Sequence, residues 1–453
     1  MTNPTQTGAG PLPVRGTPAR VQVGPYPAGG PPVRGTITPP PSKSAAHRAL
    51  LCAALAGGGT VRGITDSEDM QATLRALPAL GASPAAEKEA VSASRVVTFT
   101  PAAPPAGGPV TVDCGESGST LRFLIPLFAA KGIPAVFTGR GRLPERPLGV
   151  YADCLPGHGV TLSGPGDGKS LPLSVSGRLQ AGQYVLPGDV SSQFITGLLL
   201  ALPLCEGDSE IVLSTPLESA AYVTMTVEAM ARAGVAVETT SFGWRVSGGQ
   251  AYRPHEETVE ADWSQAAFLL AAGALGGEIA LTGLNPRSSQ GDREALALFR
   301  RFGADITEAG GRVLCRRAPL HGIDIDASQI PDLVPILAVT AALAEGTTRI
   351  TGAARLRLKE SDRLAATAHC LRLLGGRAEE RPDGLVIEGR PFLEGGEVPG
   401  YNDHRIVMSM AVAALGCRGP VTIGDAGSVR KSWPAFFTDY QRIGGAVHVL
   451  EYR

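Results

Sequence analysis

Along this chain, two patterns of apolar and polar positions recur in step with each other. In the first, a helix-like run closes on glycine and an apolar strand start follows at once. It appears as PALGAS at Gly81, PGHGVTL at Gly159, ARAGVAV at Gly234, RRFGADI at Gly303, LLGGRAE at Gly376 and RIGGAVH at Gly445, at intervals of 78, 75, 69, 73 and 69 residues. Glycine suits that place because the residue after a helix takes a left-handed backbone that a Cβ disfavours. In the second pattern, a polar cluster opens an Ala/Leu-rich apolar run. It appears at Ser44 in SKSAAHRAL, Ser119 in SGSTLRFL, Ser192 in SSQFITGLLL, Ser264 in DWSQAAFLL, Asp332 in PDLVPILAV and Asp403 in NDHRIVMSM, at intervals of 75, 73, 72, 68 and 71 residues. Two landmarks sharing a period of about 70 residues predict six copies of one unit. Each copy should hold two helices, with strands between and after them. Solenoid repeats run about 20–50 residues, so a unit this long is a small assembly in its own right. Three copies per domain place the boundary near residues 255–262.

The same pattern places the chemistry. The polar clusters fall at helix N-termini, whose unbonded N–H groups and dipole favour anions. Six such ends can face one interdomain cleft, which suits a ligand carrying several phosphates and carboxylates.

Composition narrows the class without identifying it. A chain of 453 residues exceeds one ordinary core, so two domains are expected. Hydrophobic residues are 43%, charged residues 18% and the formal net charge is −1, an ordinary globular balance without the basic excess of a nucleic-acid binder. Anionic ligands must therefore be held by local clusters. The seven cysteines are scattered without a CxxC pair and read as reduced cytosolic thiols. No apolar run reaches the roughly 18 residues of a membrane span, and the Pro/Gly/Thr-rich start lacks the apolar core of a secretory signal. About the first 20 residues read as a mobile tail.

Lysine is rare here. There are six: Lys43, Lys88, Lys131, Lys169, Lys359 and Lys431. Arginine supplies the other cations, so a lysine inside a dense polar motif suggests work that a permanently charged guanidinium cannot do, such as moving a proton. Lys43, Lys359 and Lys431 sit in such motifs. In PPSKSAAHRALLCAAL, residues 40–55, Ser44 and Arg48 lie one turn apart on one helix face. Taken alone, Ser44 reads equally as a helix cap, Asp332 as an N-cap and Glu360 as a surface residue paired with its basic neighbours. No metal-ligand spacing, GxGxxG or GxxxxGK[ST] motif occurs, so no metal, redox or nucleotide cofactor is expected.

SKSAAHRA resembles the N-terminal signature of the EPSP synthases, and matches to that enolpyruvyl transferase family continue from about residue 34. GRGRLPERP resembles the family's phosphoenolpyruvate loop with Arg146 at its key position. GDVSSQF resembles the segment that holds shikimate 3-phosphate, and LESAAY, IPDLVPILAV, LRLKESDRL, YNDHR and SVRKSWP follow in family order. The resemblance implies an inside-out α/β barrel fold of two domains, each with three βαβαββ units. One domain is then 42–260 and the other 21–41 with 261–453, preceded by a 1–20 tail. It implies transfer of the enolpyruvyl group of phosphoenolpyruvate to the 5-hydroxyl of shikimate 3-phosphate with release of phosphate. It further implies that Lys43, Ser44, Arg48, Ser191, Ser192, Gln193, Ser219, Asp332 and Lys359 bind shikimate 3-phosphate. Lys43, Gly118, Arg146, Gln193, Arg363, Arg405 and Lys431 are implied to bind phosphoenolpyruvate. Asp332 is expected to be the base for the hydroxyl, and Glu360, assisted by Lys43, the proton carrier at C3. A cytoplasmic monomer binding neither nucleic acid nor membrane is expected.

Several positions depart from the family's commoner form. Glu116, Ser117, Gly118 and Ser119 stand where Asn-Ala-Gly-Thr is usual, and Phe123 replaces a proline after Arg122. Glu116 is thereby expected near the phosphoenolpyruvate side. Arg355 replaces an Asn and Ala220 a Lys. His404 reads as a hydrogen-bonding structural residue rather than a proton shuttle. The rival UDP-N-acetylglucosamine enolpyruvyl transferases carry SKN and a loop cysteine, whereas this chain has SKS and no Cys between Gly139 and Pro147. A non-catalytic anion-binding protein would need the arginines but not Asp332, Glu360 and Lys43 together.

Overall fold

The computed structural model describes residues 17–26, 32–89, 94–103 and 107–452. Its helices are of two kinds. The helix that opens each unit has no polar face: in Trp263–Gly276 all but Leu275 are buried, and in Val334–Ala342 every residue is. The strands alternate instead, as in Thr347–Thr351, where only Thr348 and Ile350 are buried. Helices buried on all sides and strands buried on one side have a simple solution. The helices fill the middle of each lobe and the sheets wrap outside them.

Polar side chains fix where the opening helices begin. Ser42, Ser117, Ser191, Asp262 and Asp403 accept hydrogen bonds from the backbone N–H of Ala45, Thr120, Gln193, Gln265 and Arg405. The sequence landmarks thus fall at the cap or one or two residues inside it. The fifth helix, Val334–Ala342, is entered through a 3-10 turn at Pro331–Leu333 with no side-chain cap. At the other ends, Gly81, Gly159, Gly234 and Gly303 take the left-handed conformation. In the last two units, however, it is Gly375 and Gly444 that do so, one residue before the expected Gly376 and Gly445. The second glycine of each pair serves close approach instead: a Cβ on Gly376 would lie 2.9 Å from the Leu371 carbonyl oxygen.

Six four-stranded sheets follow one plan, a parallel pair continued by two antiparallel strands. One unit reads strand Val110–Asp113, helix Gly118–Ala130, strand Ala135–Thr138, helix Gly149–Cys154, and strands Val160–Ser163 and Leu173–Gly177. This is the expected βαβαββ order. Three sheets borrow a strand from far along the chain. Glu256–Thr258 pairs with Gly59–Ile64 in the first unit and Val33–Ile37 with Gly277–Leu281 in the fourth. Pro18–Val23 lies between Val421–Ile423 and Val447–Tyr452 in the sixth. Residues 18–20, read from sequence as tail, are therefore strand, because the sixth sheet needs them; residues 1–16 lie outside the described residues.

Two hydrophobic clusters result. One runs from Ala46 to Val259, and the other joins Val21, Val23 and Val33 to residues from Ala261 to Val447. The chain crosses between them twice, side by side, where Ser42 N–H bonds the Glu260 carbonyl at 2.8 Å and Asp262 N–H bonds that of Pro40 at 2.9 Å. All seven cysteines are free. Among the described residues, no helix is long and apolar enough to cross a membrane.

Candidate active site

The N-termini of all six opening helices line one cleft between the lobes. On the first wall, Lys43, Ser44 and Arg48 come from helix Lys43–Leu55. Arg48 is buried, and its guanidinium meets only neutral oxygens: Thr226 Oγ1 at 2.8 Å, Thr196 Oγ1 at 3.3 Å, and the carbonyls of Tyr222 at 2.8 Å and Ser44 at 2.6 Å. Burial pushes it down to about 10. Arg122 is held likewise by Gln193 Oε1 at 2.8 Å and the Pro147 carbonyl at 3.0 Å, and burial takes it down to about 9. Arg122 also orients Gln193, whose amide donates to Ser119 Oγ at 2.9 Å. Arg146 is 7% exposed, and no side-chain partner of its guanidinium occurs among the described residues. Gly118 makes its room: an added Cβ would lie 2.6 Å from Arg146 Nη1. Among the described residues, only Lys43 of these cations has a carboxylate partner, Asp69 at 2.6 Å.

The second wall is charged but paired. Asp332 receives Arg363 Nη1 at 2.9 Å and Arg405 Nη2 at 2.9 Å, with Lys359 Nζ at 3.8 Å. Burial raises the proton affinity of its carboxyl, but Arg405, Lys359 and Arg363 outweigh that and hold it far below the usual range. Arg363 also binds Glu360 at 2.7 Å and Asp403 at 2.8 Å. Burial likewise raises Glu360, and the charges of Arg363, Arg146 and Lys43 more than offset it, so Glu360 is ionised. Burial lowers Lys359 to about 8, opposed by Asp332.

Every sequence-predicted site residue but one lines this cleft; Lys431 stands apart. Its Nζ is held by Glu116 at 2.7 Å and by the Asn402 carbonyl at 2.5 Å. The carboxylate of Glu116 bridges Lys431 and the Asn402 side chain across the lobes. Asp332 is no helix cap: its carboxylate meets Arg363, Arg405 and the Tyr222 hydroxyl, and the helix that follows has no side-chain cap. His404 is buried without a hydrogen-bond partner on either ring nitrogen among the described residues, so the hydrogen-bonding role read for it is not found. Its nearest acceptor, Asp403, is taken by Arg363, and burial keeps the ring neutral. Arg355 ties the lobes together, bonding Ser219 Oγ at 2.7 Å and Glu218 at 2.9 Å. Sequence reasoning missed Asp69, Asp262 and Asp292. Asp69 lies in the first turn of helix Glu68–Ala76, Asp262 caps helix Trp263–Gly276, and Asp292 lies in QGD.

Over the whole chain, the structure superposes with a TM-score of 0.74 on the enolpyruvyl transferase NikO from Streptomyces tendae. At 19% identity this covers 96% of this chain and 99% of that one, and it places the fold among the enolpyruvyl transferases. The EPSP synthase of Acinetobacter baumannii superposes at 0.78 with 29% identity, over 95% of this chain and all of that one. The family model for EPSP synthase (3-phosphoshikimate 1-carboxyvinyltransferase) matches residues 27–440. The 3-phosphoshikimate 1-carboxyvinyltransferases of Clostridium acetobutylicum and Clostridium kluyveri are 44% and 42% identical, each over 90% of this chain and 94% of theirs. The chain belongs to the EPSP synthase family.

Proposed function

We propose that this cleft transfers the enolpyruvyl group of phosphoenolpyruvate to the 5-hydroxyl of shikimate 3-phosphate, releasing phosphate. The observation that carries the reading is the meeting, at six helix N-termini, of unopposed guanidinium groups on one wall and a cation-bound carboxylate pair on the other. Two phosphates at about −1.5 to −2 each and two carboxylates bring a charge of about −5 to −6, so unopposed cations are what the substrates require. Arg146, Arg363, Arg405, Lys43, Gly118 and Gln193 hold phosphoenolpyruvate. Ser44, Arg48, Ser191, Ser192, Gln193, Ser219, Lys43 and Lys359 hold shikimate 3-phosphate. Lys431 joins the first set only by exchanging Glu116 for substrate. The two three-unit domains are 42–260 and 21–41 with 261–453, and the cleft lies between them.

In the addition step, Asp332 takes the hydroxyl proton while the oxygen attacks C2 and C3 gains a proton. Glu360 is the carrier at C3. It is ionised beside Arg363, Arg146 and Lys43, and its proton affinity rises once phosphoenolpyruvate draws on those cations. In the elimination step C3 gives a proton back and phosphate leaves. The test is incubation with both substrates while phosphate is followed, with UDP-N-acetylglucosamine in place of shikimate 3-phosphate as control. Phosphate release with the shikimate substrate alone supports the reading; release only with the nucleotide sugar, or none, overturns it.

A further inference from the structure

Asp332 is a poor final home for a proton. Two guanidiniums and a lysine ammonium stabilise its anion, so a proton taken from a substrate hydroxyl gains by moving on. A second carboxyl stands where it can move to. Asp292 lies in the 3-10 turn Gly291–Glu294, is 5% exposed, and has no ion-pair partner among the described residues. Its Oδ2 accepts a short hydrogen bond from Ser264 Oγ and lies 3.4 Å from the Tyr222 hydroxyl, while its Oδ1 is buried without any partner. The same hydroxyl lies 3.2 Å from Asp332 Oδ2. One phenol with one proton therefore bridges two carboxylates, and it comes from the opposite lobe. Gly291 permits that approach, since a Cβ there would lie 2.9 Å from the Ala221 methyl, next to Tyr222.

We propose that Asp292 receives, through the Tyr222 phenol, the proton that Asp332 removes from the substrate hydroxyl; this rests on the reading of Asp332 as the base. The hydroxyl proton passes to Asp332 Oδ2 as the C–O bond forms. Asp332 then gives it to the Tyr222 oxygen as the phenol proton moves to Asp292 Oδ2. Asp332 is restored as an anion, Tyr222 is again neutral, and Asp292 ends neutral and releases its proton to solvent when products leave. The groups facing Asp292 are Asp332, Arg405, Asp262, Ser264 and Tyr222. Burial and the Asp332 charge, against Arg405, raise its proton affinity to about 7. The phenol itself is pushed well above its ordinary range by burial, then by Asp292 and Asp332, so it passes a proton without residing as phenolate.

The test compares Asp292→Asn, Tyr222→Phe and the double variant in single-turnover phosphate release, with shikimate 3-phosphate binding followed by calorimetry. Each single variant should slow turnover about 10²-fold with binding changed less than about threefold, and the double should be no slower than either. The acid limb of the kcat profile near pH 7, where Asp292 must be ionised to receive a proton, should vanish in Asp292→Asn. Slowing of less than about threefold in a folded variant, losses that multiply in the double, or a surviving limb would overturn the relay. Tyr222→Phe keeps the carboxyl in place, so it decides the question if Asp292→Asn melts early. Asp332→Asn is run beside them. If it keeps full turnover, the base assignment fails; if it loses turnover while the relay variants do not, only the relay fails.

Discussion

The two walls of the cleft are both rich in arginine, yet they hold their charge in opposite ways. Arg48, Arg122 and Arg146 on the first wall are bonded to hydroxyls, carbonyls or nothing, so their charge remains for a ligand. Arg363 and Arg405 on the second are tied to Asp332, Glu360 and Asp403. The first arrangement stores electrostatic binding energy in a fixed frame. The second holds carboxylates in defined protonation states. Asp332 and Glu360 thus lie on the second lobe, reached from the first by the Tyr222 hydroxyl, and a ligand filling the cleft touches both lobes.

The sharpest test of that division is Asp332→Asn. Turnover should fall by about 10²–10⁴-fold, the usual scale of acid–base contributions, while shikimate 3-phosphate binds within about tenfold of wild type. Because Asp332 caps no helix, a rate loss in the folded variant is a loss of chemistry; single-turnover assay beside a melting curve reads both. Next in size is a stability contrast. Arg363→Met removes the guanidinium from the buried Asp403 and from the half-buried Glu360 and Asp332, and should cost about 3–5 kcal/mol in urea unfolding, whereas Arg48→Met leaves only neutral groups behind and should cost about 1–2 kcal/mol. Equal losses would erase the distinction between the walls. Gly118→Ala should displace the Arg146 guanidinium and weaken phosphoenolpyruvate binding by about 1.5–3 kcal/mol, leaving shikimate 3-phosphate binding intact by calorimetry.

Acid should also separate the lobes. Asp332, Glu360 and Asp403 have depressed proton affinities in the fold. Their stabilisation is therefore present above the unfolded carboxyl range of about 4 and is lost as pH falls through the lower folded values. Asp292 runs the other way: raised to about 7, it binds protons in the fold that the unfolded chain has lost, so its contribution falls between about pH 4 and 7. Hydrogen exchange below pH 4 should show residues 261–452 opening before 46–259. The smallest effect belongs to Glu116→Gln, which weakens the bridge to Lys431 and Asn402. It should cost about 1 kcal/mol or less and increase the radius of gyration of the free protein in solution scattering.

The sequence carried the fold far because repetition multiplies weak signals. One Gly after one helix says little, but Gly81, Gly159, Gly234 and Gly303 in step with Ser42, Ser117, Ser191 and Asp262 locate unit after unit. Capping and left-handed termination are local effects, set by residues within a turn of each other, so they are written in the chain. Many motif residues were legible for the same reason: Lys43, Ser44, Gly118, Ser192, Gln193 and Arg405 lie at those helix starts.

What the sequence alone determined is therefore the set of local pieces: six units, their helix starts and stops, and the cations and carboxylates placed there. Tertiary structure decided how they meet. It decided that strands Val33–Ile37 and Glu256–Thr258 close sheets hundreds of residues away, because a sheet edge is satisfied by whichever strand packing brings beside it. It decided that Glu116 takes Lys431 while the Arg146 guanidinium has no hydrogen-bond partner among the described residues, and that Asp292, a single letter in QGD, stands behind Tyr222 and Asp332. Charge pairing and proton affinity depend on distance and burial through space, and Asp332 and Arg363 are 31 residues apart along the sequence, Glu116 and Lys431 315.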